Sequence, residues 1–323
     1  MSPPTSPAVR LLESAIDAGT VPGGIIAHGR DPEPVARGAV APGGAAFPAD
    51  AIVRIQSMTK AIQAVAAARL VERGVLALDS PVVPWLPELA APRVLPRPDA
   101  DLDQAVPSPT EITLRHLLTC TSGLGIATAE GPLQRAMAES GLEAGSAPWT
   151  LAADEWLAAL GAPPLAGEPG RVWRYHHSFS VLGILLSRVT GSPLDAHLRA
   201  DLLDPLGMVD TGSFVPAAQS HRLPPAFTVE DGEPAETTDQ VPSSVKRPDS
   251  FYPGFWDGTG WGFGVCVVTD GEHRGRWRWS GGFGTDFFVD ADGTIGSLLA
   301  QVEIGEHLMP LLEAFQDLPT PPN

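Results

Sequence analysis

The spacing of apolar side chains divides the chain into a strand-like start, a helical middle and a strand-like end. Residues 7 to 18 carry Val9, Leu11, Leu12, Ala15 and Ile16 at helical intervals, which predicts an amphipathic helix. Gly23 to His28 and Val35 to Val40 read as two short strands joined at Gly29-Arg30-Asp31-Pro32. A short apolar segment, Ala51 to Ile55, then leads into an alanine-rich run that contains Leu70 and no proline and stops at Arg73-Gly74. Further helices are predicted at Thr113 to Thr119 with Thr113 as cap, at Leu133 to Ser140, and at Leu151 to Leu160 after a Thr150 cap. Phe179 to Thr190 and Leu194 to Leu203 complete the helical middle.

Residues 91 to 109 and 215 to 259 are rich in proline and polar side chains and read as loops. From Gly260 the period changes to two. Gly262 to Val268, Arg274 to Ser280, Asp286 to Val289 and Ile295 to Val302 read as strands of an antiparallel sheet, followed by a helix from Glu306 to Phe315. The economical fold is α+β: an antiparallel β-sheet built from both chain termini, flanked by helices, with a mostly helical lobe inserted. The expected division is one catalytic domain with an α/β lobe of residues 1–56 and 260–323 and a helical lobe of residues 57–259. Clefts between lobes are common sites for small molecules.

Composition narrows the function. The 323 residues suffice for a large core, with 43% hydrophobic and 18% charged residues. The formal net charge of -17 argues against nucleic-acid binding and against docking on anionic membranes. No apolar run approaches a membrane span, and Met1 to Arg10 lack the pattern of a secretory signal, so a cytoplasmic location is expected. Cys120 and Cys266 lie far apart in core-like segments and are expected as buried free thiols. The eight histidines show no metal-ligand spacing, so neither metal nor organic cofactor is expected. No feature of the pattern specifies an oligomeric state.

The candidate chemistry lies where the first sheet segments hand over to the helices. Ser57 opens the alanine-rich helix and Lys60 follows one turn later on the same face. A hydroxyl and an amine side by side at a helix N-terminus can act as nucleophile and base. The Ser-x-x-Lys pattern alone is weak, and Ser243-Ser244-Val245-Lys246 repeats it. That copy lies between Pro242 and Pro248, with no helix to hold it. Lys60 and Lys246 are the only lysines in the chain, every other basic side chain except histidine being arginine. Arginine is effectively never deprotonated, whereas a buried lysine can be.

Taken in order, Ser57-Met58-Thr59-Lys60, Gly74 to Pro81, Thr113 to Thr119 with Thr121-Ser122-Gly123, Pro169-Gly170 leading to Tyr175, Leu182-Gly183, Pro205-Leu206-Gly207-Met208 and Gly281-Gly282-Phe283-Gly284 resemble the serine β-lactamase and penicillin-binding-protein superfamily. The resemblance covers nearly the whole chain and is greatest to class C β-lactamases and family VIII carboxylesterases. It implies an acyl-enzyme on Ser57, with Lys60 and Tyr175 sharing the base role. It further implies an oxyanion hole from the backbone N–H groups of Ser57 and a residue near Gly282, each donor worth about 3 kcal/mol.

Two departures from that family's pattern shape the substrate expectation. Where Tyr-x-Asn is common, this chain reads Tyr175-His176-His177, so His177 is a candidate for substrate contact, for holding Lys60, or for simply filling the space. Where Lys-Thr-Gly is common, it reads Trp279-Ser280-Gly281. A neutral indole cannot supply the charge that would bind a substrate carboxylate; Trp279 is expected as an apolar wall of the cleft, with Ser280 and Gly281 as further substrate contacts. These departures point away from β-lactams and D-peptides and toward a carboxylesterase on small or medium acyl esters. The alternative is an acyltransferase or amide-forming enzyme of specialised metabolism that uses the same acyl-enzyme, and a β-lactamase or D-peptidase stands third.

Overall fold

A computed structural model describes residues 6–97, 99–126, 131–143, 150–230, 233–236 and 258–319. The chain opens with α1 (Pro7–Asp17), capped by the Ser6 hydroxyl, which accepts from the Val9 N–H at 3.2 Å, with Pro7 pre-set for the first turn. Two strands follow, β1 (Gly23–Gly29) and β2 (Val35–Gly38), paired antiparallel. The helices are α2 (Thr59–Glu72), α3 (Leu114–Leu118), α4 (Pro132–Glu139), α5 (Ala153–Gly161), α6 (His177–Thr190) and α7 (Leu194–Leu198). Small antiparallel pairs join β3 (Arg93–Val94) to β4 (Val106–Pro107) and β5 (Phe227–Glu230) to β6 (Glu233–Glu236). Strands β7 (Thr259–Trp261), β8 (Cys266–Val268), β9 (Trp277–Gly281), β10 (Thr285–Val289) and β11 (Ile295–Leu299) precede α8 (Met309–Gln316).

The main sheet has seven strands in the order β2-β1-β11-β10-β9-β8-β7. Every neighbouring pair is antiparallel, and the pairing of β1 with β11, Ile25 opposite Leu299, joins the two ends of the chain. This is the antiparallel sheet from both termini that the change of period predicts.

The sheet is covered on both faces. On one face, Val9 and Leu12 of α1 and Leu312 and Phe315 of α8 pack with Ile26, Phe288 and Leu298. A larger apolar cluster unites Ala67 and Leu70 of α2, Leu117 and Leu118 of α3, Leu182 and Leu185 of α6, and Trp279 of β9. Each fully buried leucine in it contributes about 1.5–3 kcal/mol.

The local expectations are corrected at four places. Gly262 to Val268 is not one strand: β7 ends at Trp261, Gly262 donates to Val265 at 2.7 Å, and the chain turns back as β8. Gly264 (φ +74°) makes that turn, and a side chain there would meet the Lys60 carbonyl at 2.8 Å and the Phe179 ring at 2.9 Å. The Leu194 to Leu203 helix changes hydrogen-bonding pattern at Arg199 and finishes as a short π-helix. Helix α5 is entered at Ala152, not Thr150, with the Glu155 carboxylate accepting from the Ala152 N–H at 3.3 Å. The two segments read as loops also hold the β3–β4 and β5–β6 pairs. The second Ser-x-x-Lys copy, Tyr252 and Trp256 lie outside the described residues.

Candidate active site

Ser57 occupies a single 3-10 turn, Gln56–Met58, that runs directly into α2. Gln56 has φ +46°, a conformation few non-glycine residues adopt, and it tips the backbone into the turn just ahead of the serine hydroxyl. One turn on, Lys60 is buried at 8% exposure and its Nζ donates to Ser57 Oγ at 2.9 Å. Lys60 Nζ also lies over the Tyr175 ring, 4.5 Å from its centroid.

Tyr175 ends the segment that enters α6. Its carbonyl accepts from the Ile126 N–H at 3.0 Å, and the preceding Arg174 N–H donates to the Cys120 carbonyl at 2.8 Å. His176, at φ +91°, turns the chain sharply into the helix and leaves Tyr175 facing the Ser57 helix. Trp173 stacks on Tyr175 at 5.8 Å, and Trp261 meets both rings edge-on. The Trp279 indole N–H donates to the Tyr175 hydroxyl oxygen at 2.9 Å. Ser57, Lys60, Tyr175 and Trp279 thus form one connected set, drawn from α2, the α6 approach and β9.

Strand β9 abuts the Ser57 turn through Gly281. A side chain at Gly281 would collide with the Ile55 carbonyl and with Thr285 Oγ1, and Thr285 itself donates to Ile55 O at 3.3 Å. A glycine is therefore required for the strand to lie against the turn. At Gly282 an added Cβ would meet nothing within 4 Å, while its carbonyl accepts from Ile304 at 2.8 Å. The Cys120 thiol, near Lys60, is pushed up to about 12 by burial, with the lysine charge opposing; both cysteines are buried and free.

Two expected substrate contacts need correction. His177 is fully buried: its Nε2 lies 2.7 Å from the Leu142 carbonyl and its ring stacks on Trp156. The first turn of α6 carries it inward, where it packs between Leu142 and Trp156. Ser280 alternates with Trp279 along β9 and faces the opposite side of the sheet. Its hydroxyl donates to Asp286 Oδ2 at 3.0 Å, and Gln316 of α8 donates to Asp286 Oδ1. Trp279 also does more than the expected apolar wall, because its polar edge is spent on Tyr175. Sequence reasoning gave no role to Trp173; its spacing of two from Tyr175 in an extended segment is the signal that places both rings on one side.

A serine beside a lysine and a tyrosine, set against the end of an interior strand of an antiparallel sheet, is the side-chain combination a serine hydrolase uses. The family model described as Beta-lactamase matches residues 9–246, and the chain belongs to that family as a serine hydrolase. Protein Rv1367c of Mycobacterium tuberculosis is 32% identical over 76% of this chain and 73% of its own length. Esterase EstB of Burkholderia gladioli is 32% identical over 75% of this chain and 74% of its own. Among solved structures, EstCE1, described as a hydrolase with promiscuous acyltransferase activity, superposes with a TM-score of 0.77 at 22% identity, covering 95% of this chain and 97% of its own. No helix among the described residues is long and apolar enough to cross a membrane.

Proposed function

We propose that this protein is a carboxylesterase that hydrolyses small or medium acyl esters through an acyl-enzyme on Ser57. The observation that carries the reading is the 2.9 Å bond between Lys60 Nζ and Ser57 Oγ, backed by Tyr175. The cleft lies between the α/β lobe of residues 1–56 and 260–323 and the helical lobe of residues 57–259. Ser57 Oγ attacks the ester carbonyl while Lys60 and Tyr175 take up its proton. The oxyanion that forms is held by the backbone N–H groups of Ser57 and Gly282. The carbonyl re-forms, the C–O bond to the alcohol breaks, and that alcohol leaves with the proton. Water then repeats the sequence on the acyl-enzyme and frees the acid.

The likeness to EstB supports an ester substrate. The neutral Trp279 at the third motif supports it further, since no ammonium stands there to bind a β-lactam or peptide carboxylate. The test is turnover of p-nitrophenyl esters beside a chromogenic cephalosporin, with Ser57→Ala as control. Ester turnover that disappears in Ser57→Ala is expected; turnover that survives the substitution would sink the mechanism. Rapid cephalosporin hydrolysis would overturn the ester reading.

The likeness to EstCE1 favours a second reading, transfer of the same acyl group to an alcohol or amine. An acyl-Ser57 that persists in water and clears when an acceptor is added would select it.

A further inference from the structure

The bond from Trp279 to Tyr175 has a direction, and the direction matters chemically. An indole N–H can only donate. A phenol oxygen carries one hydrogen, which prefers the plane of its ring and so has two opposed positions. Trp279 Nε1 lies 2.9 Å from the Tyr175 oxygen, with the two side chains only 5% and 8% exposed. The bond is therefore shielded from competing water. With the indole hydrogen occupying one side of the oxygen, the phenol hydrogen is turned to the other.

Trp279 is itself held firmly. It sits in the middle of the main sheet on β9, opposite Phe287 of β10, and meets Trp261 edge-on at 4.4 Å. An indole has two side-chain torsions, and packing on this scale leaves little freedom in either. An ammonium at the same position would also donate, but it would bring a charge and a flexible stem. The indole supplies direction without charge.

We infer that Trp279 is a positioning residue that aims the Tyr175 hydroxyl hydrogen at the departing alcohol of the ester. The inference rests on the acyl-enzyme reading of Ser57. In this step the tetrahedral intermediate loses its alkoxide, the C–O bond electrons go to that oxygen, and the Tyr175 hydrogen transfers to it as the alcohol leaves. The phenolate so formed regains a proton from Lys60, which received it from Ser57 during attack. Atoms and charge balance, and no further reagent is needed.

The consequence is a selectivity for poor leaving groups. An alkoxide is too basic to leave without a proton, whereas p-nitrophenolate leaves unaided. Trp279 should therefore matter far more for ethyl esters than for p-nitrophenyl esters of the same acid. A purely structural tryptophan would affect both alike.

The experiment compares kcat/KM for ethyl acetate and p-nitrophenyl acetate in the full chain and in Trp279→Phe. The expected result is a shift in the ratio of about tenfold or more against the ethyl ester. Since Trp279→Phe could disturb packing, the second probe replaces Trp279 with 3-benzothienylalanine, whose sulfur keeps the shape and deletes the N–H. The same shift is expected. In a Tyr175→Phe background neither replacement should alter the ratio further. An unchanged ratio with both probes, or a shift that persists without the Tyr175 hydroxyl, overturns the inference. Ser57-dependent p-nitrophenyl turnover in the unsubstituted protein tests the parent reading separately, and its absence removes both.

Discussion

On one face of β9, Trp279 reaches Tyr175, which faces the Lys60–Ser57 pair; on the other, Ser280 and Gln316 both donate to Asp286, and just before the strand Arg276 forks onto Asp290. Both clusters are polar and wholly or partly buried, and on β9 they are one residue apart in sequence. They differ in the partners each group has. At the front, Lys60 donates to Ser57 and lies over the Tyr175 ring, whose hydroxyl oxygen accepts from Trp279. At the back, a guanidinium is fixed by two carboxylate oxygens, at 2.7 and 2.8 Å, and by the carbonyls of Gln316 and Leu318, so α8 is fastened to the sheet. A buried polar group can thus serve chemistry or serve as a rivet, and its partners decide which.

The comparison breaks most sharply at the front. Lys60→Arg should lower ester kcat/KM by about a thousandfold or more, with the melting temperature nearly unchanged, because arginine keeps the charge but cannot accept the proton. Near-full activity in steady-state assays would reduce Lys60 to an electrostatic neighbour. At the back the loss should be one of stability. Arg276→Met leaves Asp290 charged and unpaired in the interior, at a cost of about 3–5 kcal/mol in urea unfolding, while KM is retained by the folded fraction. A changed KM with unchanged stability would contradict the assignment of the two faces.

The smallest effect is the pH response of Asp286. Burial holds its carboxyl up at about 7, against hydrogen bonds from Gln316 and Ser280 that pull the other way. The folded state therefore binds this proton more tightly than the unfolded chain does. The associated stability is fully present below the ordinary carboxylate range, near pH 4, and is lost as pH rises through about 7. Asp286→Asn should flatten this part of the stability profile between those limits in pH-dependent unfolding. An unaltered slope would mean that Asp286 is ionised throughout.

Much of this arrangement was legible in the sequence. The change to period two near the C-terminus foretold the sheet, and the scarcity of lysine singled out Lys60 beside Ser57. What escaped depended on direction and register. Gly262-Phe263-Gly264 continues an apolar alternation that gives no sign of the turn between β7 and β8, which Gly264 makes pressed against α2. Ser280 belongs to a motif by position, yet the strand pleat points it to the far face. His177 follows Tyr175 by two, but the turn at His176 starts a helix between them and breaks the spacing that would have kept them together. Trp279 and Tyr175 lie 104 residues apart, and no local pattern reports a bond between them.

The pairing of β1 with β11 has a consequence for the chain while it is being made. The strand Gly23–Gly29 is synthesised early, and its partner Ile295–Leu299 emerges last among the sheet strands. At ordinary translation rates the interval is on the order of ten to fifty seconds. Throughout it, one edge of Gly-Gly-Ile-Ile-Ala-His-Gly lacks its native neighbour, and Gly281 has yet to reach the Ser57 turn. The nascent chain therefore carries both an unpaired strand edge and an incomplete Ser57 surround. The edge closes only when Ile295–Leu299, made after Gly281, takes its place beside Gly23–Gly29.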